Sequence, residues 1–245
     1  MNNSCFIDKL QHYLPLTPVE KQALGKLEED PKPYEPGSVI FEEERDSADH
    51  LYVVQEGRVH TSTLLADGTR AILRISFPGD FLGTNSIPFR DAVSTAVVAV
   101  PSKLCRFPRK GLRPIFEDHP RIAALFYAVA MLENVSMQDR LKSVGRTEGT
   151  ARVGALILES LCRLRITNRD MTNRFDMHMT QADMGDAVGL TNIHVNRCLK
   201  QLAADGLIER QGSVIKVLDE ARLRSESHFI DRFGEIETDW FPDAR

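Results

Sequence analysis

Residues Thr180–Leu202, TQADMGDAVGLTNIHVNRCLKQL, decide how the C-terminal part of this chain folds. Counted from Gln181, the apolar side chains Met184, Val188, Leu190, Val195 and Cys198 take the fourth, eighth, tenth, fifteenth and eighteenth places. At those places the two helices of a helix-turn-helix press their inner faces together. Gly185 falls at the fifth place, where a larger side chain would hold the helices apart, and Gly189 at the ninth, where the turn favours positive φ. A second helix held this way is free to enter a major groove, so residue order alone names double-stranded DNA as the partner.

Working outward from that segment, Asp205-Gly206 closes the second helix, and Leu207–Arg210 and Val214–Leu218 flank Gln211-Gly212 as two strands of a wing. Upstream, Thr150–Arg165 reads as a helix with Val153, Leu156, Ile157, Leu161 and Leu164 as its buried stripe, and 166–178 as a polar loop or small hairpin. Gly145–Gly149 is a hinge. Before it, Arg121–Val144 has no helix breaker, and Ile122, Leu125, Val129 and Leu132 recur at 3–4–3 spacing. A helix about 36 Å long with such a stripe suits a dimer coiled coil; the alternative is a helix packed on its own barrel.

The texture changes again nearer the N-terminus. Residues 16–29 read as a short amphipathic helix with Pro18 in its first turn. Short alternating runs then follow at 38–41, 51–54, 58–64, 71–77, 95–100 and 103–107, separated by glycine- and proline-bearing turns, of which Asp67-Gly68 is the clearest hairpin. Strands at this spacing indicate an antiparallel sandwich or barrel. The expected class is α+β: an antiparallel β-roll of the jelly-roll, cupin-like kind, a long dimerisation helix and a winged helix-turn-helix. The expected bounds are 1–118, 119–145 and 146–219, with a tail at 220–245 whose role the residues do not disclose.

Composition narrows the function classes. The chain has 245 residues, 42% hydrophobic and 27% charged, with a net charge of −4, which excludes a bulk-basic nucleic-acid binder. From Arg152 to Leu218 nine Lys/Arg stand against seven Asp/Glu, so attraction to phosphate must be local. No apolar run is long enough for a membrane span and the N-terminus has no secretory pattern, so no membrane partner and a cytoplasmic location are expected. Cys5, Cys105, Cys162 and Cys198 lie far apart with no CxxC pair, which points to reduced thiols and to no metal or other cofactor. No nucleophile–base constellation stands out, so no catalytic residue is assigned. A cupin-type metal enzyme would need a His-x-His pair followed by Glu, and His50 and His60 are ten residues apart.

A β-roll, a long helix and a winged helix-turn-helix, in that order, resemble the Crp/Fnr family of bacterial transcription regulators. PGSVIFEEERDSADHLYVVQEGRVHTS (36–62) is similar to that family's roll signature, FPGDFLG (77–83) to the stretch before its effector pocket, and MTQADMGDAVGLT with Arg197 to its reading motif. The resemblance implies a homodimer on a palindromic site, RNA polymerase as a further partner, and a small-molecule effector of unnamed chemistry. It places the effector pocket at Gly83, Thr84, Ser94 and Thr95, with Met137 and Gln138 of the partner helix nearby.

The departures carry information too. Members that bind cyclic AMP place Glu after the glycine matching Gly83, and an Arg-Ser pair further on; here Thr84 and Ser94-Thr95 stand in those places, and Arg90 comes four residues too early. A buried phosphate would lose its bidentate guanidinium partner, so a cyclic-nucleotide-responsive regulator is the weaker alternative. The oxygen-sensing branch carries an N-terminal cysteine cluster, and Cys5 alone cannot hold a cubane. A haem ligand would have to be His50, His60 or His119.

On the recognition helix the residues not used by the inner face are Thr191, Asn192, His194, Asn196, Arg197 and Lys200. Arg197 can fork onto guanine, and Asn192 or Asn196 can pair with adenine. Thr180 caps the first helix of the motif, and Lys200 and the wing residue Lys216 are phosphate candidates. Ile193 stands where most of the family has Glu, so the half-site differs from the family's usual ones. Cys198, on the inner face, reads as a small buried hydrophobe, with a redox-sensitive thiol beside DNA as the alternative.

Overall fold

A computed structural model describes residues 4–244. Their contacts form two compact units. One takes in the residues up to Leu64, Leu73–Met131 and those from Glu235 on; the other takes in Leu65–Ile72 and Leu132–Gly234.

The first unit opens with two short helices, α1 (Cys5–Tyr13) and α2 (Pro18–Gly25). α2 starts where Pro18 predicts, behind a capping box between Thr17 and Glu20. α1 was not anticipated. It is anchored by two contacts far apart in sequence: Phe6 packs on the Phe81 ring at 4.6 Å, and Lys9 pairs with the buried Asp80. Asp80 also accepts from the Phe77 amide at 2.9 Å, so the FPGDFLG turn is held by its own aspartate.

The roll is built from β1 (Lys32–Tyr34), β2 (Val39–Phe41), β3 (His50–Leu64), β4 (Arg70–Ser76), β5 (Phe81–Leu82) and β6 (Thr95–Pro108). Pairing runs β1-β6-β3-β4, with β2 on β6 and β5 on β3. The long β3–β6 ladder is antiparallel from His50↔Pro108 to Ser62↔Thr95, and register shifts between Val54 and Val59 bend it into a roll. Its interior is Phe41, Tyr52, Val54, Val59, Leu82, Ala96, Val98 and Leu104. The Asp67-Gly68 turn closes β3 onto β4 through Leu65 and Thr69, as its residues predict.

After the short α3 (Arg113–Asp118) comes α4 (Pro120–Arg146), 27 residues long. The stripe expected at a dimer seam does not lie open: Ile122, Leu125 and Leu132 are buried by the chain itself. A second stripe on the opposite side, Tyr127, Met131, Asn134, Gln138 and Leu141, is exposed at 4–3–4–3 spacing. The two stripes stand about 180° apart, and the inward one is the richer in branched aliphatics.

In the second unit, α5 (Gly149–Thr167) is followed by β7 (Arg174–Asp176), α6 (Gln181–Val188), α7 (Asn192–Ala204), β8 (Ile208–Gln211), β9 (Val214–Val217) and α8 (Glu220–Glu226). β7-β9-β8 form a three-stranded antiparallel wing, one strand more than the two anticipated. α5, α6 and α7 share a core of Val153, Ile157, Leu161, Met184, Val188, Val195, Cys198 and Leu202.

The chain beyond α8 is packed, not loose. Phe233 is buried under the Arg163 guanidinium, 5.1 Å from the ring centroid, while Arg163 makes a bidentate pair with Glu133 of α4. Arg232 donates to Asp139 at 2.9 Å and Arg224 to Asp231 at 3.2 Å. Segment 227–233 thus straps α5 and α8 to the second half of α4. Further on, Trp240 stands edge-on to Tyr127, with ring centroids 6.5 Å apart.

Candidate nucleic-acid interface

The close approach of α6 and α7 rests on two glycines. A Cβ on Gly185 would lie 2.4 Å from the Leu190 carbonyl oxygen, a distance no side chain tolerates. Gly189 has φ +70°, and its amide bonds back to the Gly185 carbonyl, turning the chain into α7 without strain. The helix-turn-helix follows from backbone sterics at these two positions.

α7 begins at Thr191, whose hydroxyl accepts from the His194 amide at 3.2 Å. Its buried stripe is Val195, Cys198, Leu199 and Leu202. Asn192, Ile193, Arg197 and Lys200 are exposed, and Asn196 is half-buried. Residues 193, 196, 197 and 200 fall within about 100° of one another on the helical wheel, so they form one outer face. Among the described residues, no hydrogen bond or ion pair engages the Arg197 guanidinium or the Lys200 ammonium. The helix carries no Asp or Glu from Asn192 to Ala204, so its N-terminal amides keep their positive field for an incoming phosphate.

Two expected contacts, His194 and Lys216, sit differently. His194 is half-buried and turned toward the start of α5: a Cβ on Gly149 would lie 3.0 Å from its Nε2 and 3.1 Å from Cys198 Sγ. Cys198 is 2% exposed, in keeping with the small-hydrophobe reading. Lys216 on β9 is drawn to Glu209 at 3.5 Å, which reduces its pull on phosphate. Thr180 caps α6 in a closed box, accepting from the Asp183 amide at 3.1 Å and donating to Asp183 Oδ2 at 2.7 Å. The α6 N-terminus therefore already holds a carboxylate. Arg70 balances that charge, pairing with Asp183 and donating to Asp186 at 2.7 Å.

The residues expected around an effector are less well gathered. In the roll, a cavity of about 310 Å³ is lined by Tyr34, Asp46, His50, Tyr52, Gly83 and Arg106 among others. Arg106 Nη2 lies 3.0 Å from His50 Nδ1, and burial pushes the Tyr52 phenol up, so it remains a hydroxyl donor. Gly83 lines this cavity; Thr84 opens a single 3₁₀ turn beside it. Ser94 is buried, and the Thr95 hydroxyl is taken by the Glu43 amide at 3.0 Å. Met137 and Gln138 are exposed on α4, with Gln138 donating to Asn134 at 2.8 Å. Arg106 escaped the sequence reading because it lies on a strand far from the resemblance's motif, and only the β3–β6 register brings it beside His50 and Tyr52.

Among the described residues no group of three or more His, Cys, Asp or Glu could hold a metal ion. Burial pushes the Cys105 thiol up to about 11 and the Cys162 thiol up to about 12. Neither is a ready thiolate at neutral pH.

Comparison with known proteins supplies the rest. Two family models match the chain: Cyclic nucleotide-binding domain over residues 31–119 and Crp-like helix-turn-helix domain over residues 151–226. The transcriptional activatory protein AadR of Rhodopseudomonas palustris is 30% identical, with 78% of each chain covered. The nitrogen fixation regulation protein FixK of Bradyrhizobium diazoefficiens is 29% identical over 77% of this chain and 78% of its own. The solved structure of FixK2 from Bradyrhizobium japonicum superposes with a TM-score of 0.70 at 25% identity, covering 80% of this chain and 96% of that one. With the paired helices, the wing and the roll all in the matched order, the chain belongs to the Crp/Fnr family and is a DNA-binding transcription regulator of that type.

Proposed function

We propose that the protein acts as a homodimer, placing one α7 in each of two successive major grooves of a palindromic site about 34 Å apart. The observation that carries this reading is the acid-free outer face of α7, with Arg197 and Lys200 exposed and unengaged. Arg197 reads guanine, Asn192 and Asn196 are placed for adenine, and Lys200 and the α7 amides meet phosphate. The second copy is supported by the exposed stripe of α4, where Tyr127, Met131 and Leu141 leave apolar surface in water over four turns. RNA polymerase follows as the downstream partner, in keeping with a relative named as an activatory protein.

The roll serves a ligand other than cyclic AMP, or none. Thr84 offers a hydroxyl where a carboxylate is needed for the ribose, and Ser94 and Thr95 bring no guanidinium to a buried phosphate. Recovery of genomic fragments by the purified, ligand-free full chain tests the whole reading. A sharp palindrome is the expected result; a preference that appears only with cyclic AMP would restore the cyclic-nucleotide alternative.

A further inference from the structure

We propose that Ile193 is a base-reading residue, its side chain covering the C5-methyl group of one thymine in each half-site. The proposal deepens the reading of α7 given above and rests on it.

Ile193 is 80% exposed, more than any other large apolar side chain among the described residues. It cannot turn inward, because the buried stripe of Val195, Cys198, Leu199 and Leu202 lies on the opposite side of the helix. Nor does local structure ask for it: a β-branched residue at a bare helical surface is a poorer helix former than Ala, Lys or Glu. What sets the position apart is its company, Arg197 one turn on and Lys200 two turns on, both cationic and unengaged.

A protein partner seated on this face would have to cover two cations with its own acids around a single aliphatic group. A major groove offers what the face lacks. Its phosphate rims suit the cations, and among base edges only thymine presents an apolar group there. Against cytosine or guanine, Ile193 would strip water from an amino group or carbonyl and return no hydrogen bond. The stiff χ1 of isoleucine in a helix also keeps the methyl groups in place, so little rotamer freedom is lost on contact.

The test uses the full chain and the site it selects from random duplexes. Each thymine of the half-site is replaced by deoxyuridine, which removes the methyl group and leaves every hydrogen-bonding edge intact. One position per half-site should weaken binding about fourfold, the effect of exposing one methyl-sized group, and about fifteenfold when both half-sites are changed. In Ile193→Ala, which removes only exposed atoms, uracil at that position should cost less than about twofold. Ile193→Glu should shift the selected base there from thymine to cytosine, whose amine a carboxylate can accept. A wild-type chain indifferent to uracil everywhere, or a sensitivity kept in full by Ile193→Ala, overturns the proposal while leaving α7 as the reading helix. Absence of any selected site would instead remove the DNA-reading assignment and this inference with it.

Discussion

The exposed apolar side chains of α4 and α7 differ in what surrounds them. On α4 the bare residues Tyr127, Met131 and Leu141 recur along one face over four turns, with only Asn134 and Gln138 between them. On α7 a single isoleucine stands among Asn192, Arg197 and Lys200. A long apolar stripe can be satisfied only by another apolar stripe, and the simplest source is a second copy of the same helix. A lone aliphatic group framed by cations fits a polyanion with an occasional methyl group. Exposure alone does not identify a partner; the charge around the exposed group does.

The largest separation between the two faces is expected from Arg197→Ala. Loss of one bidentate base contact per half-site should cost about 2–6 kcal/mol of operator affinity in a dimer, with random-sequence duplex weakened only a few-fold. Fluorescence anisotropy on both duplexes checks it, and an equal loss on both would reduce Arg197 to a phosphate contact. On α4, Leu141→Glu should weaken dimerisation by about 4 kcal/mol across the two copies, seen as monomer in analytical ultracentrifugation. Leu125→Ala, on the buried stripe, should instead lower thermal stability by about 3 kcal/mol and leave the dimer intact. If the two variants exchange these effects, the seam lies on the other stripe.

The strap offers a third, intermediate effect. Phe233→Ala should destabilise the second unit by about 3 kcal/mol in chemical denaturation, because a buried ring under Arg163 is replaced by a cavity. A smaller effect follows from pH. Burial pushes the Asp139 and Asp231 carboxyls up, but Arg232 and Lys142 around the first, and the Phe233 amide, Cys162 and Arg224 around the second, outweigh it and hold both below the ordinary value. A carboxyl lowered in the folded state contributes stability that is full above the unfolded value of about 3.9 and lost as pH falls through the folded one. Protection factors for amide exchange in 227–234, taken against the intrinsic rate at each pH, should therefore be high at about pH 5 and fall below about pH 4, with a flatter profile in Asp139→Asn.

The smallest effect is expected at the thiols. With Cys105 near 11 and Cys162 near 12, and Cys198 packed on Gly149, mild peroxide at neutral pH should leave operator affinity unchanged. A loss of affinity that maps to Cys198 would revive the redox reading.

Local signals in the chain were legible where one residue type answers one steric demand. Gly185 and Gly189 fixed the paired helices, Asp67-Gly68 fixed a hairpin, and Pro18 fixed a helix start. α1 was not legible because it is held by Phe81 and Asp80, some seventy residues away. The role of 220–245 was not legible because Phe233 meets the Arg163 guanidinium, itself held by Glu133, only in three dimensions. Of the residues expected to face DNA, Arg197 and Lys200 are exposed, whereas His194 packs toward α5.

By itself, then, the order of residues determined the α+β class, the turn between α6 and α7 and the family, because backbone sterics and short-range periodicity act within a few residues. The tertiary structure decided which stripe of α4 is spent on the chain's own core, which cations on α7 remain unpaired and where the last segment docks. Those outcomes depend on burial and on ion pairing between residues distant in sequence, and no local pattern encodes either.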